Sequence, residues 1–369
     1  MKKEWLVKEE LMDSIERDIL YESLDKSLIV SGCAGSGKSL MAVKLAERIE
    51  NEKKGKRRIV VYTKALEEYI REGTRTLNLN CNLTHYDCWK WKTVAKWDEM
   101  NHQYKYVKEE NCPHTDYFIV DEIQDFSKDE IYSFIKSADK HFLFFGDTAQ
   151  SIYKEKNPLP VKNIKREFGL QDSQCKEHSL YYNYRLPVHI AEAVQYVGKD
   201  LEEFDPNKYK SPEKTYLRMI KYENKESQIV DIGKYCAEKR SSDIAIIVPH
   251  KLDVINIYNQ LKKLGIHCEM KYDDPHDFHK SIDTLDMSTD NPKIMTFHSA
   301  KGLQFETVFI PWINDNPLYM RTYRTPLYVA MTRTCKDLFL MYTGWLPHPL
   351  AAIPQNLYKT TMFDIIEDK

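Results

Sequence analysis

Long apolar runs are missing from this chain: none approaches about 18 residues, so no segment reads as a membrane-spanning helix. An excess of either charge is missing too. The formal net charge is -2, so no global basic field advertises nucleic acid, although a local groove can hold a backbone on a near-neutral protein. Glycine is scarce at 12 residues, and with 15 prolines and no low-complexity tract the composition argues against long disordered linkers. The eight cysteines are scattered and no secretory signal precedes them. Reduced thiols in a cytoplasmic protein are therefore expected, rather than a disulfide framework. What is present is ordinary for a globular protein, 42% hydrophobic and 30% charged, on 369 residues that suffice for two domains.

Residues 4–24 carry apolar positions at Leu6, Leu11, Ile15, Ile19 and Leu20, a helical spacing. Residues 27–30 read as a short apolar strand. The glycine-rich run Gly32-Cys33-Ala34-Gly35-Ser36-Gly37-Lys38-Ser39 follows, and then a helical pattern through Leu40, Val43, Leu45, Ala46 and Ile49. Further strands are expected at 59–63, 117–120 and 141–145. Strands alternating with helices imply a parallel sheet with helices on both faces. The pattern restarts at 243–248, with a helix around 251–264 and strands at 293–296, 307–310 and 338–341. The expected fold class is thus α/β in two similar domains, 1–178 and 179–369, with a junction near 175–185.

The spacing G-x-x-x-x-G-K-S between a strand and a helix is a phosphate loop. Its glycines let backbone N–H groups close around phosphates, and the helix N-terminus adds positive potential. Gly32, Ala34, Gly35, Ser36 and Gly37 form the cradle, Lys38 reaches the β/γ oxygens of ATP, and Ser39 ligates Mg²⁺. The apolar strand at 117–120 delivers Asp121 beside the same metal, and Glu122 can orient or deprotonate the attacking water. Taken alone, Asp-Glu after a strand also reads as a helix N-cap.

With Asp121-Glu122-Ile123-Gln124-Asp125 the chain resembles superfamily 1 helicases of the UvrD/Rep/PcrA type. Motifs fall in that family's order: 32–39, 61–63, 121–125, Gly146–Tyr153, Tyr182–Arg185, Thr296–Phe305 and Tyr328–Arg333. The resemblance implies two tandem RecA-like domains with ATP between them. Gln150 would sense the γ-phosphate, Arg185 and Arg333 would act as arginine fingers, and Tyr184 would stack on adenine. Gln304 would contact the nucleotide where the family usually has glutamate. Single-stranded DNA would run over both domains, held by Thr63, Lys64, Thr296 and His298, with Tyr153 stacking on a base. Taken without the motifs, the two arginines read as surface ion pairs, Tyr184 as core packing and His298 as a structural histidine.

The chain departs from the family in places. No glutamine precedes Gln103 to read adenine, and Glu155 stands where a tryptophan is usual. Only about fifty residues separate Thr63 from Tyr117, and about 110 separate Arg185 from Thr296. The first family insertion is therefore expected to be small, near 76–114, and the second absent: a minimal member. In that segment Cys81, His85, Cys88, Cys112 and His114 allow a zinc reading, against which the spacings match no closed zinc pattern. Trp89, Trp91 and Trp97 read as the small insertion's own core. The function expected from the resemblance is a DNA translocase or helicase-like ATPase, 3′-to-5′, working with a protein partner such as a nuclease in DNA repair or phage defence. The alternative is a regulatory NTPase subunit that switches a partner enzyme without unwinding DNA.

Overall fold

The computed structural model describes residues 7–93, 95–98, 103–106, 113–153, 157–199, 201–239, 243–272, 282–313 and 316–363. Two compact units divide the chain, Glu4–Tyr181 and Tyr182–Lys369. The first contains α1 (Ser14–Leu20), β1 (Ser27–Gly32), α2 (Lys38–Asn51), β2 (Arg57–Val61), α3 (Lys64–Thr76), β3 (Asn82–His85), α4 (Tyr86–Thr93), β4 (Ala95–Asp98), β5 (Gln103–Tyr106), β6 (Thr115–Val120), α5 (Lys128–Lys136), β7 (Ala138–Gly146), α6 (Ile164–Glu167) and β8 (Cys175–Leu180). The second contains α7 (Val188–Gln195), β9 (Leu217–Tyr222), α8 (Lys225–Glu238), β10 (Ile244–Val248), α9 (Lys251–Lys263), β11 (Glu269–Tyr272), β12 (Ile282–Asp283), β13 (Lys293–Thr296), β14 (Phe305–Ile313), α10 (Pro317–Met331), β15 (Thr334–Thr343) and β16 (Tyr358–Lys359).

In the first unit the strand order is β3-β2-β6-β7-β1-β8 and every pairing is parallel. Fully buried runs such as Phe118-Ile119-Val120 and Phe142-Leu143-Phe144-Phe145 explain this, because a parallel sheet is covered on both faces. One face packs on Val43, Ile49, Leu66 and Ile70, the other on Trp89, Phe126, Phe134 and Ile164. In the second unit the order is β12-β11-β13-β10-β14-β15-β9-β16, parallel apart from the β11–β12 pair. Both units thus have the RecA-like arrangement of a parallel sheet flanked by helices. Among the described residues no helix is long and apolar enough to cross a membrane.

Local chemistry sets the boundaries. Asp13 caps α1, and Glu16 reaches back to the Asp13 N–H in a capping box, so the helix starts at Ser14 and not earlier in the periodic stretch. Leu6, counted in that stretch, lies outside the described residues. The strand expected at 59–63 stops at Val61, because Thr63 turns the chain and caps α3 by accepting from the Leu66 N–H at 3.1 Å.

The segment 78–114 departs from expectation. β3 pairs in parallel with β2 inside the main sheet. Trp89, on α4, is buried against Phe118, Phe134 and Tyr86. It belongs to the unit's main core, where burial of a large indole contributes most, and not to an insertion. Among the described residues of this segment, the antiparallel pair β4–β5 stands apart from the sheet. The side chains of Trp91 and Trp97 lie outside the described residues, as do Cys112 and Glu155.

Candidate active site

The run Gly32–Ser39 leads from the last residue of β1 into the first turn of α2, and Asp121 directly follows β6, at the C-terminal edge where open α/β sheets bind ligands. Gly35 and Gly37 have φ of 78° and 90°, and Gly37 at the N-cap starts α2 from this left-handed conformation. Space around the loop is equally restrictive. A Cβ on Gly32 would lie 2.4 Å from Ser36 Oγ and 3.0 Å from Leu180 Cβ. Lys38 is nearly buried, and its ammonium donates to the carbonyls of Gly32 at 2.7 Å and Cys33 at 2.8 Å. The Ser36 hydroxyl is buried and has no hydrogen-bond partner among the described residues.

Ser39 Oγ donates to Asp121 Oδ2 at 2.5 Å. Burial, with the Glu122 carboxylate beside it, pushes the Asp121 carboxyl up to about 6, while Ser39 and Lys38 act in the opposite direction. Glu122 has φ 60° and ψ 40°, sparsely populated for a side chain of this size. Such strain persists where surroundings enforce it. The enforcing contacts are the Asp121 carboxylate, which accepts from the Glu122 N–H at 2.9 Å, and the Gln124 amide, which donates to Glu122 Oε2.

Gln124 also ties this turn to the next strand end, its Oε1 accepting from the Asp147 N–H at 2.9 Å. Asp147 in turn accepts from Gln150 Nε2 at 2.7 Å, so Gln150 is buried on the chain of contacts that runs from Glu122. Close approach makes Gly146 necessary, since a Cβ there would lie 2.6 Å from Gln124 Oε1 and 2.7 Å from Ile123 Cγ2. The structure therefore brings Gly32–Ser39, Asp121, Glu122 and Gln150 together within the first unit. Two hard oxygen donors in contact, beside a glycine cradle with a partnerless buried hydroxyl, fit Mg²⁺ and a triphosphate.

Sequence reasoning missed one neighbour. Glu16 is 4% exposed, and its Oε1 lies 2.8 Å from where a Cβ on Gly37 would sit. Burial raises its carboxyl above the usual glutamate range, with Asp13 acting in both directions. The Asp13-x-x-Glu16 capping box announces the helix start, but nothing in it announces contact with the loop.

In the second unit Arg185 and Arg333 converge on Thr332. Arg185 Nη1 donates to the Thr332 carbonyl at 3.3 Å, and Arg333 Nη2 donates to Thr332 Oγ1 at 2.9 Å. Arg333 is 1% exposed and also donates to the Val329 carbonyl at 2.8 Å and the Leu303 carbonyl at 3.4 Å. Gln304 follows Leu303 and is half-buried, so it shares this neighbourhood. Asn183 Oδ1 accepts from the N–H groups of Arg185 and Leu186 and shapes the turn that carries Tyr184, whose ring is 6.3 Å from that of Tyr182.

The residues expected at nucleic acid occupy strand ends. Thr63 and exposed Lys64 follow β2. The Tyr153 ring stacks on Tyr62 at 4.3 Å. Thr296 ends β13 and shares a 3.0 Å hydrogen bond with Ser299, with half-buried His298 between them. The zinc reading gains nothing: His85 pairs with Glu67 at 2.5 Å and His114 with Asp139 at 2.8 Å. Among the described residues no group of three potential ligands could hold a metal ion.

Residues 17–156 match a family model described as an AAA domain, and residues 293–341 match the UvrD-like helicase C-terminal domain. No curated protein sequence matches the chain. Among solved structures, the C-terminal domain of a possible DNA helicase from Lactobacillus plantarum WCFS1 is similar at 20% identity and TM-score 0.36, over 48% of this chain and 98% of that one. Arterivirus nonstructural protein 10, a helicase, is similar at 14% identity and TM-score 0.44, over 92% of this chain and 64% of that one. An AAA-domain module and a UvrD-like helicase C-terminal module thus stand in this order on one chain, which supports a UvrD-like superfamily 1 helicase-type protein and implies an NTP-hydrolysing enzyme.

Proposed function

We propose that the chain hydrolyses ATP with Mg²⁺ to move along single-stranded DNA, 3′-to-5′. The observation that supports the ATP and Mg²⁺ part of this reading is the contact of Ser39 with Asp121 beside the Gly32–Ser39 cradle; the strand and its direction follow from the family resemblance. When bound, ATP with Mg²⁺ supplies the γ-phosphoryl group and the charge that holds it. The loop N–H groups and Lys38 would grip the phosphates, and Ser39 and Asp121 would hold the metal. Glu122 would orient the attacking water or take its proton, and Gln150 would sense the γ-phosphate. Arg185 and Arg333 neutralise charge growing on the transferred group, a contribution of about 10³–10⁵ in rate where arginine fingers are measured. Tyr184 stacks on adenine and Gln304 contacts the nucleotide. Because these four come from the second unit, hydrolysis requires both units and thereby couples chemistry to motion.

The strand is held by Thr63, Lys64, Thr296 and His298, with Tyr153 as a stacking platform. On the family resemblance, the protein acts with a partner such as a nuclease, in DNA repair or phage defence. The test is ATP turnover across single-stranded DNA, duplex, forked DNA and RNA. Single-stranded DNA is expected to raise turnover many-fold, with the effect fading as salt rises. Stimulation by duplex alone would overturn the strand assignment.

A further inference from the structure

Trp345 is the most exposed large apolar side chain among the described residues, at 79%, whereas tryptophan is on average well buried. The strand before it fixes its place. β15 ends at Thr343, and Gly344, with φ 70°, turns the chain in the left-handed region, so Trp345 leaves the second sheet at its C-terminal edge. β9 runs parallel to β15, with Lys221 beside Tyr342 and Tyr222 beside Thr343. That register brings the exposed Lys221 to the indole, its ammonium 5.1 Å from the ring centroid. A cation at this distance is attracted by the negative face of the ring. One face of Trp345 is thus steadied by Lys221, and the exposure of the residue leaves the other to solvent.

The same edge carries Thr296 at the end of β13, with His298 just beyond it. Strands β10 and β14 lie between β13 and β15. Three strand spacings therefore separate the two places, roughly 14 Å at about 4.8 Å each. About four nucleotides cover that length at the duplex spacing of about 3.4 Å, and fewer do so when the single strand is extended. Near the end of β14, between the two places, the ammonium of exposed Lys225 sits 5.2 Å from the buried Trp312 ring, whose N–H donates to the Lys225 carbonyl at 3.2 Å. Cations along such an edge suit phosphates, and an open ring suits a base. Glu223, exposed just beyond β9, offsets part of the positive charge, so stacking and not charge is the larger contribution at Trp345.

The surroundings of the ring select its occupant. A protein-docking surface needs contiguous apolar area. Lys221 on the ring, with exposed Gly344 and His348 close by in sequence, supplies none. An open indole face backed by a cation fits a single planar π group instead. Every nucleobase has such a face, so stacking there is tolerant of sequence. We propose that Trp345 stacks on a base of the single strand held by Thr296 and His298, with Lys221 fixing the ring, and so extends the path of that strand across the second unit to the end of β15. The proposal rests on the single-strand reading above.

The test is fluorescence anisotropy of the full chain at one fixed salt concentration, with a dT 20-mer and an abasic 20-mer that keeps the phosphates and lacks the bases. The wild type is compared with Trp345→Ala and Trp345→Phe. The expected result is dT affinity about tenfold lower in Trp345→Ala, within the range that loss of one stacking platform produces. Trp345→Phe keeps a π face and should recover most of that affinity. Affinity for the abasic strand should be the same in all three proteins. The ring lies mostly in solvent, so both variants should melt with the wild type, which guards against misfolding. Unchanged dT affinity in Trp345→Ala, or an equal loss on both oligonucleotides, would overturn the proposal while the wild type still binds DNA. Failure of the wild type to bind dT would overturn the single-strand reading, and this proposal with it.

Discussion

Ser39 Oγ and Asp121 Oδ2 stand 2.5 Å apart although 82 positions separate them in the chain. β1 and β6 both end at the same edge of a parallel sheet, so Ser39, at the start of α2 after the loop that leaves β1, and Asp121, just after β6, become neighbours. Removing one of two protein oxygens weakens a Mg²⁺ site more than it weakens phosphate binding. Ser39→Ala should therefore raise the Mg²⁺ concentration for half-maximal turnover by about tenfold or more, as one lost metal ligand or its orienting partner does elsewhere. A Mg²⁺ titration of ATP turnover checks this.

The same pair makes the site a liability for stability. The Asp121 carboxyl is pushed up to about 6, so the folded protein holds its proton more tightly than the unfolded chain does. Its contribution is thus fully present below the ordinary aspartate range and is lost as pH rises through about 6. Asp121→Asn should stabilise the nucleotide-free protein at pH 7.5 but not at pH 4, with about 2–4 °C in Tm for each kcal/mol relieved. Turnover should be lost in the same variant. Thermal melts at both pH values read the difference.

Gly146→Ala tests the tie between the Asp121 and Asp147 turns. The added methyl would meet Gln124 Oε1, Ile123 Cγ2 and, at 2.9 Å, Val161 Cγ2. Overpacking of this kind costs about 1–3 kcal/mol. Urea unfolding should show that loss, together with reduced turnover, because the Gln124 link to Glu122 is displaced.

Trp89 separates two accounts of the segment after α3. As part of the main core it should cost about 3–5 kcal/mol on truncation to alanine. In a detached insertion the cost would be well under 1 kcal/mol, within the range of surface changes. Denaturant midpoints at constant slope distinguish them.

Much of this arrangement was legible in the sequence because the central strands are buried on both faces. Apolar runs such as Phe118-Ile119-Val120 and Ile244-Ala245-Ile246-Ile247-Val248 need no partner to be recognised. Edge strands do not announce themselves that way. β8, with Lys176, Glu177 and His178, has a single buried residue at each end and reads as a loop. β3 is one buried leucine among polar residues. The glycine loop was legible through its spacing, and Asp121 through the strand before it. Glu16 against Gly37, and the convergence of Arg185 and Arg333 on Thr332, depend on chain returns that no local pattern encodes.

The most direct test of the central claim compares Lys38→Ala with Arg333→Ala for ATP binding and for turnover in the presence of single-stranded DNA. In the proposed mechanism Lys38 grips the phosphates in the ground state, so its loss should weaken nucleotide binding by about tenfold or more. In that proposed mechanism Arg333 acts on charge that develops during transfer, so its loss should leave binding within about twofold and lower DNA-stimulated turnover by about 10³-fold or more. Equal loss of binding in the two variants, or turnover in Arg333→Ala close to wild type, would contradict a motor whose chemistry requires both units.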